Sequence, residues 1–205
     1  MTKEEEILNA AEEEFFRNGY EATSTAVIAK RAGVTHAMVN YYYRTKEKLF
    51  IQILDNHVLE LLKTLKPLMQ ADGDFVGVVT DAACAIFDKM VEDRRLPYLI
   101  SDISRTHPDF LLRYKETVDV VCGDSIVMHA RRLEKYIAEG AVAECTMNDI
   151  YNTVLSLAIS PFFNLPLLEN VVGYDAAQVD SYLAARRSEM IRILQSRYSG
   201  RRDRD

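Results

Sequence analysis

Apolar residues recur at intervals of three and four along most of the chain, which is the spacing of a helix with one buried face. Runs that alternate between apolar and polar residues, as in a half-buried strand, are not found. The apolar series from Leu49 to Leu65 predicts one continuous helix of about 20 residues. Pro67 is expected to mark its approximate end, because proline removes a helical hydrogen bond. The pattern as a whole predicts an all-α fold of about nine helices.

Polar residues, glycines and prolines predict where these helices begin and end. A helix is expected from Phe75 to about Asp93, and another stops at Gly140 after either bending or restarting at Gly123. Residues 199–205 lack apolar side chains and are predicted to be disordered. Capping boxes, or close variants of them, are predicted at Thr2 with Glu5, Thr146 with Asp149, and Asp175 with Gln178.

Residues 23–48 have the pattern of two short helices joined by a tight turn. Ser24 or Thr25 caps a helix that ends at Ala32, and Gly33 suits the left-handed conformation that follows many helices. Thr35 then caps a second short helix. A turn this short packs the two helices at a steep angle and leaves the outer face of the second helix free. The sequence therefore predicts a helix-turn-helix.

The second of these helices has one polar face and one apolar face. Val34, Val39 and Tyr43 are expected to pack inward against Val27, Ile28 and Ala32. An outward face with these side chains can exchange hydrogen bonds with base edges: asparagine suits adenine, alanine can touch a thymine methyl, and histidine can reach guanine or a phosphate. The outward residues are His36, Ala37, Asn40 and Tyr41.

Charge is distributed unevenly along the chain. The full sequence has a formal net charge of −6, yet residues 22–48 contain five cations and a single carboxylate, Glu47. A local net charge of +4 favours contact with phosphates, which supply affinity that is independent of sequence. The five cations are Lys30, Arg31, Arg44, Lys46 and Lys48.

Composition and motifs argue against several other classes of protein. No apolar run approaches the roughly 18 residues of a membrane span, and the charged N-terminus does not resemble a signal peptide, so a cytoplasmic protein is expected. The three cysteines, Cys84, Cys122 and Cys145, lack the spacing of a disulfide framework or a zinc motif. Glycine-rich phosphate loops, H-E-x-x-H pairs and nucleophile elbows are not found, so we expect neither an enzyme nor a cofactor or metal site.

The first 50 residues resemble the DNA-binding domain of the TetR family of bacterial transcriptional regulators. One position departs from the family pattern, since Asn40 stands where the family commonly has a tyrosine that touches DNA. The residues that carry the resemblance are Ile7, Leu8, Ala10, Ala11, Phe15, Gly19, Tyr20, Thr25, Ile28, Ala29, Ala32, Gly33, Val34, Thr35, Tyr41, Tyr42, Lys46, Glu47 and Leu49.

This resemblance implies two domains with different functions. Residues 1–48 would bind DNA, and residues 49–205 would form a helical domain that binds a small-molecule inducer and dimerises. The expected function is that of a ligand-responsive repressor of a palindromic operator. By the same analogy, five side chains are expected to contact phosphates or bases: Thr25, Thr35, Tyr41, Tyr42 and Lys46.

The last two long helices carry more apolar residues than one small domain needs to cover. They either pack on the chain's own core or pair with a second copy, and members of the family that the chain resembles dimerise through these helices. The positions assigned to a homodimer interface are Val154, Leu157, Val179, Tyr182, Leu183 and Met190.

The middle of the C-terminal domain is rich in aromatic and flexible apolar residues. Such residues line small-molecule sites between helices, but they also form ordinary cores. His129 is a further candidate for a polar contact, and Phe163 for an apolar one. The residues assigned to ligand binding are Phe87, Met90, Tyr98, Ile103, His107, Phe110, Tyr114, Met128 and Phe162.

One alternative function stays open on the sequence alone. A helical protein-interaction module could keep the helix-turn-helix as packing and not bind DNA. Such a module would need no basic recognition face, so DNA affinity that weakens steeply with salt separates the two hypotheses.

Overall fold

A computed structural model describes residues 2–70 and 73–200. Within those ranges the regular secondary structure is helical, apart from an isolated bridge between Val142 and Ser199. Nine of the described helices have eight or more residues, which confirms the predicted all-α fold. The helices are α1 Lys3–Ala22, α2 Thr25–Ala32, α3 His36–Tyr43, α4 Lys46–Gln70, α5 Phe75–Glu92, α6 Leu96–Thr106, α7 Pro108–Leu112, α8 Tyr114–Ala138, α9 Met147–Phe163, α10 Leu165–Leu167 and α11 Ala176–Tyr198, with a π-helical turn at Leu168–Val172.

The three predicted capping boxes are confirmed at the starts of α1, α9 and α11. At α9, the Asp149 amide donates to Thr146 Oγ1 at 3.1 Å and the Thr146 amide donates to Asp149 Oδ2 at 2.8 Å. Each box satisfies two backbone donors that have no partner inside the helix. Local sequence therefore fixes these three boundaries.

Helix α4 passes Pro67 and ends three residues later, at Gln70, close to the expected end. Helix α8 is one element across Gly123, so the predicted restart at that glycine is wrong. Helix α9 also contains a proline, Pro161, and continues to Phe163. A proline removes only its own backbone donor, and packing of the surrounding turns can keep the remaining helical bonds in place.

The chain folds as two compact units, Met1–Glu60 with Arg95–Lys115 and Leu61–Arg94 with Glu116–Asp205. The domain boundary expected at residues 48 and 49 falls inside the first unit, which takes in the first part of α4 and also α6 and α7. The core of this unit is continuous across those elements, because residues of α1, α4, α6 and α7 bury one another. Its aromatic centre is formed by Phe15, Tyr20, Phe50 and Phe110.

The second unit is built on the packing of α5 against α9 and α11. The rings of Phe87 and Phe162 lie 5.3 Å apart in this core. At its surface, Arg187 binds the Asp88 carboxylate through two hydrogen bonds of 2.7 and 2.8 Å. This bidentate geometry fixes α11 against α5.

The chain continues in an ordered form beyond α11. The Ala143 amide donates to the Tyr198 carbonyl at 3.0 Å, and the Gly200 amide donates to the Ala141 carbonyl at 2.9 Å. The predicted disorder of residues 199–205 is therefore corrected for Ser199 and Gly200, whose backbones pair with the loop before α9. Residues 201–205 lie outside the described part of the chain.

Candidate nucleic-acid interface

Helices α2 and α3 form the predicted helix-turn-helix, with the predicted caps. The Ser24 hydroxyl accepts a hydrogen bond from the Val27 amide at 3.3 Å, and the Thr35 hydroxyl accepts one from the Met38 amide at 3.3 Å. Gly33 has φ +63°, so the left-handed turn that joins the helices favours glycine, which adopts this conformation without strain. The Val34 amide closes the turn on the Ala29 carbonyl at 3.0 Å.

Buried residues of α3 pack this helix against the rest of the first unit. Val39 and Tyr43 are buried as predicted, and the Tyr43 hydroxyl donates to the Glu4 carbonyl at 3.2 Å. Burial raises the pKa of Tyr43 to about 12, so its hydroxyl remains a donor throughout the physiological range. Val27, expected in this interface, is instead 43% exposed, because the buried face of α2 is centred on Ile28 and Ala29.

The opposite face of α3 is exposed. Tyr41 has 74% of its surface accessible, and the Tyr42 ring stands edge-on to it at 5.3 Å. The two tyrosines place two aromatic rings, each with a polar hydroxyl group, on the accessible face of α3. The exposed predicted DNA-binding residues are Thr35, His36, Ala37, Asn40, Tyr41 and Tyr42, and Thr25 is partly buried beside them.

His36 uses both ring nitrogens within the protein. Its Nε2 lies 2.8 Å from Thr25 Oγ1, and its Nδ1 lies 3.5 Å from Asn40 Nδ2. The imidazole thus links the first turn of α2 to the middle of α3. The sequence predicts that His36 reaches a guanine or a phosphate, but in this arrangement its polar atoms face protein groups.

Lys46 begins α4 and is turned toward α1. Its ammonium group donates to the Tyr20 carbonyl at 3.0 Å and lies 4.2 Å from the centre of the Tyr20 ring. An ammonium group has three donors, so the contact to Tyr20 leaves hydrogens for a phosphate. The sequence pattern did not reveal this contact because the two residues are 26 positions apart.

The basic surface is smaller than the count along the sequence predicts. The Arg31 guanidinium forms an ion pair with Glu14 of α1, whose side chain is only 7% exposed. Together with the inward contact of Lys46, this leaves three cations whose residues are exposed on and around the helix-turn-helix: Lys30, Arg44 and Lys48.

Sequence reasoning missed the cap of α4 and the strained residue before it. The Thr45 hydroxyl accepts a hydrogen bond from the Lys48 amide at 3.1 Å, so Thr45 starts α4 immediately after α3. Arg44 has φ +65°, which is uncommon for a residue with a side chain. A threonine three residues before Lys48 was the available sign, because threonine is a frequent N-cap residue.

The residues predicted to bind a ligand divide between the two units. Ile103, Phe110 and Tyr114 are buried in the core of the first unit. His107 lies beside them, hydrogen-bonded through Nε2 to the Glu21 carboxylate and stacked on the Phe110 ring at 4.9 Å. This hydrogen bond lowers the pKa of the Glu21 carboxyl. Tyr98 is exposed on α6.

The other predicted ligand-binding residues belong to the second unit. Phe87, Met90 and Phe162 fill its core. Met128 lies on α8, beside Val127 and Arg131, in an open groove of about 530 Å³. The nine residues therefore do not converge on one site within either unit.

Helix α8 buries two polar side chains, Ser125 and His129, that are not among the nine residues assigned to ligand binding. Ser125 is 2% exposed, and its hydroxyl has no hydrogen-bond partner among the described residues. His129, considered only as a possible polar contact, is also buried and hydrogen-bonds through Nε2 to the Met69 carbonyl at 2.5 Å. Burial lowers the pKa of His129, which keeps its ring neutral.

Four of the six predicted interface residues are buried within one chain. Val154, Val179, Leu183 and Met190 lie in the core of the second unit, because their helical faces point toward neighbouring helices of the same unit. Leu157 and Tyr182 are partly exposed. The interface assignment on the four buried residues is corrected accordingly. The accessible apolar side chains of this region are Tyr151, Phe163, Leu167, Val171 and Val172.

The segment Met147–Val172 has the length and apolar composition of a helix that could cross a membrane. The segment is not an unbroken apolar run, because Asp149, Asn164 and Glu169 interrupt it, so the expectation drawn from the sequence is not contradicted. The segment comprises α9, α10 and the π-helical turn, and only 28% of its most apolar stretch is buried. Its exposed side chains are those named above.

The three cysteines are free thiols, and burial raises the pKa of each. A raised pKa keeps a thiol protonated and weakly nucleophilic at neutral pH. Across residues 2–70 and 73–200, no group of three histidine, cysteine, aspartate or glutamate side chains could hold a metal ion.

The fold and the exposed face of α3 define a helix-turn-helix protein of the DNA-binding class. Residues 7–53 match the model of the bacterial regulatory proteins of the tetR family. The N-terminal domain is therefore of the tetR-family type, and the comparisons support a transcriptional regulator of that family.

Two curated relatives agree with this assignment. The transcriptional regulator QacR of Staphylococcus aureus is 40% identical over 55 residues, which are 27% of this chain and 29% of QacR. The transcriptional activator FasR of Mycolicibacterium smegmatis is 27% identical over 122 residues, which are 59% of this chain and 55% of FasR. The chain thus spans less than two thirds of the length of either relative.

Solved structures extend the likeness of fold over nearly the whole chain. The SmeT–triclosan complex superposes with a TM-score of 0.60 at 19% identity, covering 97% of this chain and 92% of SmeT. The fold is therefore one that a protein solved in complex with triclosan also has.

Proposed function

We propose that this protein is a homodimeric repressor that binds a palindromic DNA operator and is released from it by a small molecule. The observation that carries the proposal is the exposed face of α3, where Asn40, Tyr41 and Tyr42 project from a helix fixed on a buried core. A helix of this kind fits a major groove, and hydrogen-bonding side chains on it can distinguish bases.

Phosphate contacts would come from the residues around this face. The Thr25 and Thr35 hydroxyl groups can donate to phosphate oxygens, and Lys30, Arg44 and Lys48 are exposed cations. Three cations per chain are few for a monomer, and a dimer doubles them. Two copies of α3 about 34–36 Å apart would enter successive major grooves on one side of the DNA.

The proposed dimer interface is the accessible apolar surface of the last helices. Tyr151 and Phe163 are exposed on α9, and Val171 and Val172 follow in the π-helical turn. Helix α11 contributes a row of exposed small residues, which lets a second helix approach closely. We propose a second copy rather than a lipid as its cover, because charged residues such as Asp180 and Arg186 share the exposed surface of α11. The small residues are Ala177, Ser181, Ala184, Ala185 and Ser188.

Ligand binding is proposed for the second unit, on helix α8. The buried Ser125 hydroxyl needs a hydrogen-bond partner, and the neutral ring of His129 lies one turn further along the same face. A few polar groups among apolar walls are typical of small-molecule sites. An inducer would bind more tightly to a conformation whose two α3 helices are spaced wrongly for the DNA. The loss of DNA affinity would equal the ratio of the inducer's affinities for the two conformations.

Selection of bound fragments from genomic DNA tests the proposal. The expected result is a palindromic site bound with an affinity that falls steeply with salt, because bound phosphates release counterions. Lys48→Ala is expected to reduce the salt dependence. Lys63→Ala is the matched control, since it removes the same charge from the same helix about 22 Å away.

Two results would contradict the proposal. One is an affinity for DNA that is the same for selected and random fragments. The other is binding that does not respond to Lys48→Ala or Tyr42→Ala, which would favour the protein-interaction module. A DNA-binding regulator acts where the chromosome is, so the proposal also places the protein in the cytoplasm.

A further inference from the structure

We infer that His36 is a positioning residue that fixes the amide of Asn40 for adenine and couples this base contact to a phosphate contact through Thr25. The inference rests on the proposed function and names the base that the site selects. It follows from three side chains on two helices: Thr25 at the start of α2, and His36 and Asn40 one turn apart on α3.

The direction of each hydrogen bond follows from the chemistry of the partners. Asn40 Nδ2 lies 3.5 Å from His36 Nδ1 and carries only hydrogens, so a hydrogen bond between them assigns Nδ1 as the acceptor. A neutral imidazole with its lone pair on Nδ1 has its proton on Nε2. His36 Nε2 therefore donates to Thr25 Oγ1.

The same directions determine what each end of the chain of hydrogen bonds offers to DNA. Thr25 Oγ1 accepts from His36, so its own hydrogen is available to a phosphate oxygen. Asn40 uses one amide hydrogen on His36 and keeps one hydrogen and its carbonyl oxygen. Adenine presents a matching acceptor at N7 and donor at N6 in the major groove.

Fixing the amide matters because an asparagine can rotate by half a turn and exchange its donor and acceptor. A free amide could present either order to the groove, so it would discriminate less between bases. Fixing it on binding would also cost affinity, because the side chain loses conformational freedom. His36 Nδ1 accepts but does not donate in this tautomer, so it stabilises only one of the two orders. The inference therefore assigns adenine recognition to Asn40 and no base to His36.

Two substitutions separate the two contacts of the imidazole. In His36→Gln, the side-chain amide reaches the position of Nε2 and can keep the bond to Thr25, but the acceptor near Asn40 is lost. In His36→Asn, the carbonyl oxygen takes the position of Nδ1 and keeps the bond to Asn40, but the side chain is too short for Thr25. The pair thus tests base positioning and phosphate coupling independently.

The experiment is selection from a library of randomised half-sites with the wild-type dimer, Asn40→Ala, His36→Gln and His36→Asn. The position recognised by Asn40 is the one whose preference disappears in Asn40→Ala. At that position the wild type is expected to prefer adenine by about tenfold or more, the typical discrimination of a bidentate contact. His36→Gln should reduce this preference to less than about threefold, whereas His36→Asn should retain it and lose affinity on all sequences alike.

Each outcome supports or overturns the inference. It is overturned if His36→Gln keeps the wild-type preference, if the preferred base is not adenine, or if His36 variants change a position other than that of Asn40. In those cases the wild type still selects a site, and the proposed function stands. If the wild type selects no sequence, the proposed function fails together with the inference. Thermal unfolding of each variant confirms that the exposed substitution leaves the fold intact.

Discussion

The ion pair between Glu14 and Arg31 predicts an asymmetric response to mutation. Glu14 lies in α1 with 7% of its side chain exposed, whereas the Arg31 side chain in α2 is 32% exposed. Asn18 Nδ2 donates a second bond to the Glu14 carboxylate at 2.7 Å. Removing Arg31 leaves a buried charge, while removing the charge of Glu14 leaves a cation that can turn toward water.

The magnitudes follow from that difference in burial. Arg31→Met should destabilise the protein by about 3 kcal/mol, the low end for breaking a buried pair, because Asn18 still serves the carboxylate. Glu14→Gln should cost about 1.5 kcal/mol, the value of a hydrogen bond to a charged group. Replacing both residues, in Glu14→Leu with Arg31→Met, should return stability to within about 1 kcal/mol of the wild type.

Thermal and urea unfolding of the three variants measures these differences. For a chain of this size, the Arg31→Met midpoint should fall by roughly 6–12 °C and the Glu14→Gln midpoint by about half as much or less. A Glu14→Gln variant that is less stable than Arg31→Met would refute the reasoning. So would a double variant that is less stable than Arg31→Met alone, since the buried charge would then not be the cause.

Three further predictions concern other parts of the molecule. Lys46→Ala should weaken DNA binding and also lower the unfolding midpoint, because it removes a cation–π contact worth about 0.5–1 kcal/mol. Lys48→Ala should leave the midpoint unchanged and reduce the slope of log affinity against log salt by about one per subunit. In the wild type, the pKa of His129 in the folded state lies below its ordinary value of 6.5, so the unfolded chain binds more protons and stability falls as the pH drops below 6.5. His129→Gln removes this group, so the variant should lose less stability on acidification. A steep acid transition that is identical in the variant would contradict that role. Ala184→Arg should convert the proposed dimer to a monomer in sedimentation analysis with little change in helix content. A dimer that persists in this variant would exclude the exposed face of α11 from the interface.

Sequence was sufficient where a structural feature depends on a few neighbouring residues. The start of α3 is an example, since a threonine hydroxyl and the amide three residues later decide it. The turn at Gly33 is another, because its positive φ selects glycine. The buried face of α3 follows from the helical spacing of Val39 and Tyr43, so the exposed face was also predicted correctly from neighbouring residues.

Features that depend on distant residues were not predictable in the same way. The pairing of Arg31 with Glu14 spans 17 positions, and it removes a cation that the count along the sequence had assigned to DNA. Apolar periodicity also cannot distinguish a face that packs within the chain from one that packs on a second copy. Val179 and Met190 were therefore assigned to an interface, although they lie in the core of their own unit.

The contacts of residues 198–200 set a limit for protein engineering. Tyr198 is buried, and its hydroxyl donates to Thr153 Oγ1 at 2.8 Å, so removing it would open the core beside α9. Gly200 follows so closely on the loop before α9 that a Cβ at this position would overlap the Gly140 carbonyl oxygen. Purification tags and fluorescent labels attached downstream should therefore begin after Gly200 and leave that glycine unchanged.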